Sequence, residues 1–336
     1  MAIVVLNYNG LDDTIKCLAS LNQLSFPRLT TILVDNGSTV DPSEAALRVM
    51  PDVVLIKTGE NLGYAGGNNR GMAAALEQGA DFVLVLNNDT TVSSDIVEKL
   101  VDAFDTNPRL GVVGPVINYM DDPGTVMTDG VEFNARPHTE FFGRIEVDVR
   151  AVPPSLVPVD IVNGCCMMFR ASALRDAGLF DESLFIVHEE SDLCLRIAQR
   201  GYACAVLGRS LVLHKGSASF DRSGRKLQRY FDTRNLFVLL RRHAGRVGRS
   251  RSFLASLWPF FRYASYRYEI EIEAGKGPAG RAVAEGLRDA LFGVTGPYKD
   301  RSRPGLSLIL AVMRLLHRAS SVTRHEREEP DKAKAA

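Results

Sequence analysis

Leu84-Val85-Leu86-Asn87-Asn88-Asp89 is an apolar run that ends abruptly in two carboxamides and a carboxylate. A short apolar run of this kind reads as a buried strand, which puts Asp89 at its carboxyl end. In an open α/β sheet that edge is where ligands bind. A hard divalent cation bridging a diphosphate needs an oxygen ligand held there on rigid backbone, and Asp89 can supply one. The same three residues also suit an ordinary turn. The choice therefore depends on what surrounds them.

Around this stretch, short apolar runs alternate with helical patterns. Residues 3–8 precede Leu11, Ile15, Leu18 and Leu21, spaced for one helix face. Residues 31–35 and 53–57 read as second and third strands, with Pro42 and residues 45–49 between them. The pattern then predicts a helix over 67–79, a strand over Phe82–Asn87 and a helix over 94–107. Such alternation predicts an α/β fold, a mostly parallel, Rossmann-like sheet with helices on both faces. After residues 112–117 it lapses, and 118–160 read as loop. Cys166–Arg170 resumes an apolar run, 191–200 read as a helix stopped at Gly201, and 203–207 as a further strand.

The 336 residues carry no formal net charge, but the distribution is uneven. Residues 1–221 hold 16 Lys/Arg against 29 Asp/Glu, whereas 222–325 hold 21 against 7. We therefore divide the chain into a domain over 1–221, a basic, aromatic helical extension over 222–325, and a disordered tail over 326–336. The acidic first two-thirds argues against nucleic acid as a partner. Five cysteines without metal or C-x-x-C spacing read as reduced thiols. Met1 leads straight into Ala-Ile-Val-Val-Leu, so no signal peptide is expected, and no apolar stretch reaches membrane-spanning length. A cytoplasmic protein is expected. Its basic extension suits either an anionic surface on the inner face of the cell membrane or a homo-oligomer contact.

Other chemistry-bearing residues recur at predicted strand ends. Asp35, in Val34-Asp35-Asn36-Gly37-Ser38, can accept hydrogen bonds from ribose hydroxyls or a pyrimidine imide, or start a turn. Residues 61–71 form a Gly/Asn-rich loop entering a helix, where glycines permit close backbone approach to anionic oxygens. His188-Glu189-Glu190-Ser191-Asp192 sets three acids before a helical pattern. Acids favour helix N-termini for dipole reasons, yet clustered carboxylates also suit a general base for a sugar hydroxyl. Asp192 and Arg196 are spaced for a helix-face pair. His214, after Leu211-Val212-Leu213, makes chemical sense as a second ligand for Mn²⁺.

In order, these stretches resemble glycosyltransferase family 2, the inverting nucleotide-sugar enzymes of the GT-A fold. The resemblance runs through Asn7-Tyr8-Asn9-Gly10, Asp35, residues 61–71, Asn87-Asn88-Asp89 and 164–170. It continues in Gly178-Leu179-Phe180-Asp181-Glu182, 189–196, Gly201-Tyr202, 214–217 and Arg234-Asn235. The branch it resembles most is that of bacterial rhamnosyltransferases and galactofuranosyltransferases of cell-surface polysaccharide assembly.

The resemblance implies that Asn7, Tyr8, Asn9 and Asp35 hold the nucleotide and that Asn61, Gly63 and Asn68 line the donor pocket. Asn87-Asn88-Asp89 falls at the family's Asp-x-Asp place. There Asn88 and Asp89 face the donor, and Asp89 with His214 holds Mn²⁺ or Mg²⁺. Glu190 falls at the catalytic-base position, with Glu189 and Asp192 as the neighbouring candidates, and Asp181 and Glu182 border the acceptor. Two residues depart from the pattern: Asn87 stands for an Asp, and Glu190 stands where Asp is usual. The implied partners are a nucleoside-diphosphate sugar and a glycan or lipid-linked acceptor. A nicotinamide-dependent oxidoreductase would share the sheet but needs the G-x-G-x-x-G that is missing. A catalytically silent sugar-nucleotide module would keep the site and lack turnover.

Overall fold

The computed structural model describes residues 1–133, 141–216, 225–245 and 252–315. These fall into two compact units, one holding 1–133 and 142–216, the other 141, 225–245 and 252–315. The composition boundary at 221 and the tail at 326–336 lie outside the described residues.

The first unit is built on β1 (Ala2–Asn7), β2 (Thr30–Asp35), β3 (Val54–Lys57), β4 (Phe82–Asn87), β5 (Thr90–Val92), β6 (Leu110–Tyr119), β7 (Val126–Thr128), β8 (Gly130–Phe133), β9 (Phe142–Ile145), β10 (Leu156–Pro158), β11 (Cys166–Arg170) and β12 (Ala203–His214). Ten of these form one sheet, ordered β10-β12-β6-β11-β4-β1-β2-β3, with β5 on β12 and β7 on β6. β3, β2, β1 and β4 are parallel neighbours, as are β6 and β12. The antiparallel β11 sits between β4 and β6. In-register pairing sets Asn7 opposite Asp35, and Leu6 opposite Asn87, so three strand ends reach one edge together.

Strand alternation sorts the core into two faces. Ile3, Val5, Leu33, Leu84 and Leu86 pack in one cluster with Cys17, Leu18 and Leu21 of α1 (Leu11–Leu21), Ala46 of α2 (Ser43–Val49) and Leu100 and Phe104 of α4 (Ile96–Thr106). Val4, Leu6 and Val34 point the other way, against α3 (Gly63–Glu77).

α3 corrects the expectation of a loop over 61–71, because the helix starts at Gly63 and absorbs most of that stretch. A helical glycine costs about 0.5–1 kcal/mol relative to alanine. Here the glycines seat the helix on the sheet: a Cβ on Gly67 would lie 2.5 Å from Leu6 Cδ1, and one on Gly71 2.3 Å from Val4 Cγ1. The described residues within 118–160 are also less irregular than the loop-rich stretch expected. They hold β7 to β10, each too short to show a two-residue period. β12 runs unbroken through two predicted apolar segments, with register shifts between Leu207 and Val212. Two further helices, α5 (Ala171–Ala177) and α6 (Glu189–Gln199), complete this unit's helices among the described residues.

The second unit contains α7 (Lys226–His243), α8 (Phe253–Glu273), α9 (Gly277–Leu291) and a helical stretch over 306–315. Much of its basic character is internal. Arg229, Arg234 and Arg303 are buried, and Arg229 pairs with Glu271 at 2.6 Å. Asp289 accepts from Tyr230 (2.8 Å), Arg288 (2.8 Å) and Arg303 (3.2 Å). Burial alone would raise its pKa, but these hydrogen bonds outweigh it and hold the carboxyl below its ordinary value. The surplus positive charge is thus only partly a surface property.

Candidate active site

The strand ends at the carboxyl edge are tied together by short polar side chains. Asn7 donates to Asp35 Oδ1 (3.3 Å) and Ser38 Oγ (3.1 Å), and its Oδ1 accepts from Thr14 (2.9 Å) and Gly10 N–H (3.2 Å). Asp35 is thereby held at the end of β2. Asn9, at φ 53°, accepts from Thr39 N–H and Oγ, both 2.9 Å. Tyr8 between them is 47% exposed, leaving its ring face open.

Asn36, which the sequence did not single out, joins β2 to the start of α3. Its amide donates to Asn61 Oδ1 (3.1 Å) and Gly63 O (3.0 Å), and its carbonyl accepts from Leu62 N–H (3.0 Å). Asn61 also accepts from Gly63 N–H at 2.9 Å. Gly63 lies at φ +75°, and a Cβ there would strike Phe185 O at 2.4 Å. Two donor-pocket candidates are engaged within the protein. Asn68 is fully enclosed and donates to Tyr64 O (3.0 Å) from inside α3, while its Oδ1 has no hydrogen-bond partner. Asn88 turns its amide toward α1, donating to Thr14 Oγ (2.8 Å) and Gly10 O (3.3 Å).

The last turn of β4 and the end of β12 meet. β5 pairs antiparallel with β12 in the register His214 opposite Thr90, and His214 Nε2 stands 3.0 Å from Asp89 Oδ1. His214 Nδ1 lies 3.3 Å from Met127 Sδ. Among the described residues no three His, Cys, Asp or Glu side chains gather into a metal cage. One carboxylate oxygen and one imidazole nitrogen at this spacing nonetheless form a donor pair of the kind Mn²⁺ accepts, and substrate phosphates and water commonly fill the remaining positions.

The acid cluster, expected just before a helical pattern, is itself the first turn of α6. It follows a strained approach: Phe185, Val187 and His188 all have φ near +70°, and the His188 ring stacks on Phe142 at 5.1 Å. Non-glycine residues held there are costly and concentrate at functional sites. The three acids have different surroundings. Glu189 is buried, one carboxylate oxygen has no partner, and burial followed by the neighbouring Glu190 charge raises its pKa well above normal. It is held toward the neutral acid. Asp192 is buried against Arg196 (2.7 Å), whose guanidinium also donates to Ala177 O and Leu179 O. That engagement corrects its candidacy as a base and makes it a brace for the 177–179 turn.

Glu190 remains half-buried, with Oε1 accepting from Ser191 Oγ at 3.1 Å. Its side chain packs over Gly164, where an added Cβ would come within 3.4 Å. Tyr64 donates to Gly164 O at 2.6 Å, and Cys165 O accepts from Asn87 N–H at 2.9 Å. These contacts link Glu190 to the strand end that carries Asp89. Glu182 accepts from Asn69 (3.1 Å), and Asp181 accepts from Ser183 N–H (2.8 Å).

Asp35 and Asp89 thus stand at the carboxyl edge of the parallel strands, and Glu190 is linked to that edge through Gly164 and Cys165. The model for glycosyl transferase family 2 matches residues 2–178, more than half of the chain, and the chain belongs to that family. It is 29% identical over 246 residues to the N-acetylglucosaminyl-diphospho-decaprenol L-rhamnosyltransferase of Mycobacterium tuberculosis, covering 66% of this chain and 78% of that one. It is 25% identical to the dTDP-rhamnosyl transferase RfbF of Shigella flexneri over 71% of this chain and 79% of the other. Among solved structures, the mannosyltransferase PcManGT from Pyrobaculum calidifontis, with GDP-Man and Mn²⁺, has a TM-score of 0.54 at 16% identity and covers 87% of each chain. The protein is a glycosyltransferase with a GT-A fold.

Proposed function

We propose an inverting hexosyltransferase that moves a sugar, with rhamnose the leading candidate, from a nucleoside-diphosphate donor to a saccharide or lipid-linked glycan in cell-surface polysaccharide assembly. The observation that carries this reading is the approach of His214 to Asp89, 3.0 Å apart, where the end of β12 meets the residues that follow β4. Rhamnose rests on the names of the two relatives.

In this reading Asp35, positioned by Asn7, accepts hydrogen bonds from the nucleoside, and exposed Tyr8 offers it a ring face. Asp89 and His214 are the residues that would hold a divalent cation, which would supply positive charge against the departing diphosphate. Glu190 takes the proton of the acceptor hydroxyl as that oxygen attacks the anomeric carbon in line. The Ser191 hydroxyl orients its carboxylate. Burial and the neighbouring Glu190 charge favour the protonated form of Glu189, which makes it the poorer base of the two.

Thermal unfolding with dTDP-, UDP- and GDP-sugars, with and without Mn²⁺, tests the donor assignment, because a ligand that binds only the folded chain raises its Tm. One nucleotide class is expected to raise Tm, and only with the cation present. An equal rise without metal would remove the cation from the site. No rise with any donor would remove the donor reading.

An anionic lipid surface is the partner we assign to the second unit. Leu254, Trp258, Arg262 and Tyr266 are all exposed and recur every four residues along α8, a mixed apolar, aromatic and cationic stripe suited to a membrane interface. Trp258→Glu should weaken partitioning onto phosphatidylserine-containing vesicles roughly 10-fold at low salt, from losing one large exposed side chain that the lipid would bury. Unchanged partitioning, or no binding by the wild type, would rule the surface out.

A further inference from the structure

Lys215 follows His214, and its ammonium lies 3.0 Å from both carboxylate oxygens of Asp13 in the first turn of α1. Its backbone N–H donates to Asp89 O, also at 3.0 Å. A cation on a flexible stem is therefore anchored by its own main chain to the residue at the centre of the site. The pair is partly open to solvent, with Lys215 48% and Asp13 23% exposed. A pair this open contributes only about 0–1 kcal/mol. Asp13 has a second source of stability in the N-terminal dipole of α1, so it does not depend on the lysine. A diphosphate at Asp89 and His214 would bring several negative charges within reach of that stem, outweighing one solvated carboxylate.

We propose that Lys215 exchanges partners during the reaction cycle. It rests on Asp13 in the free enzyme, swings to the β-phosphate of the nucleoside diphosphate in the donor and product complexes, and returns to Asp13 as the nucleotide leaves. Asp13 is then a positioning residue that competes with the diphosphate and eases its release. This rests on the donor reading above. The competing role is a static strap between α1 and the end of β12.

Calorimetric titration of the full chain in Mn²⁺ separates the two, using dTDP and dTMP, with UDP and UMP in parallel. Lys215→Met should weaken diphosphate binding about 10-fold or more, the worth of a hydrogen bond to a charged group, and leave the monophosphate within twofold. Lys215→Arg should retain most of the diphosphate affinity, and Asp13→Asn should tighten it by up to about fivefold. Equal weakening of monophosphate and diphosphate in Lys215→Met would mean a strap, and unchanged binding in both would mean no contact. Weakened diphosphate binding in Asp13→Asn would also overturn the exchange. Failure of the wild type to bind either diphosphate would instead overturn the donor reading, and the exchange with it. Thermal midpoints within a few degrees of wild type show that each variant is folded.

Discussion

Glu190→Gln is expected to lower kcat roughly 10²-fold or more while donor affinity stays within about twofold. The amide keeps the shape and the hydrogen bond from Ser191, so the first turn of α6 should hold its geometry. Only the capacity to take a proton is lost. Glu189→Gln is the informative control. Its carboxyl is buried and held toward the neutral form, so an amide there resembles the native state and turnover should stay near normal. Asp192→Asn should behave differently again, because it weakens the pairing of the guanidinium that anchors the 177–179 turn. Its loss is expected in thermal stability before kcat. Near-normal turnover in Glu190→Gln with a large loss in Glu189→Gln would move the base one residue earlier. Full activity in all three would reduce the cluster to a helix N-terminus and leave the displacement without its base.

Asp89→Asn is expected to reduce Mn²⁺-supported transfer by roughly 10²-fold or more, since in the proposed site it would remove an anionic cation ligand whose stabilisation of the leaving diphosphate is worth several kcal/mol. The fold should survive. The Asp89 side chain is partly exposed, and its backbone carbonyl still accepts from Lys215 N–H. His214→Ala should act in the same direction and require a higher Mn²⁺ concentration for half-maximal rate. The chain has Asn87 where the family pattern has a second acid, so in the proposed cation site Asp89 would carry the anionic share without that neighbour. Wild type and Asp89→Asn giving matching rates across a Mn²⁺ titration would show that the cation, if any is used, binds elsewhere.

The amino-acid sequence by itself determined β1 to β4, the helices between them and the edge at which Asn7, Asp35 and Asp89 emerge. Each strand is a local apolar run closed by polar residues, and parallel neighbours joined by helices must end on one edge. It also carried the order of motifs that marks the family. It could not show that α3 begins at Gly63, because a glycine's role depends on what presses against it, here Leu6 and Val4 of a neighbouring strand. Nor could it bring His214 to Asp89, a contact made by pairing two strands far apart in the chain. The three adjacent acids of α6 are equivalent on paper. Only packing separates them, because protonation and pairing follow from burial: it raises the pKa of Glu189, pairs Asp192 with Arg196 and leaves Glu190 half-buried beside Gly164.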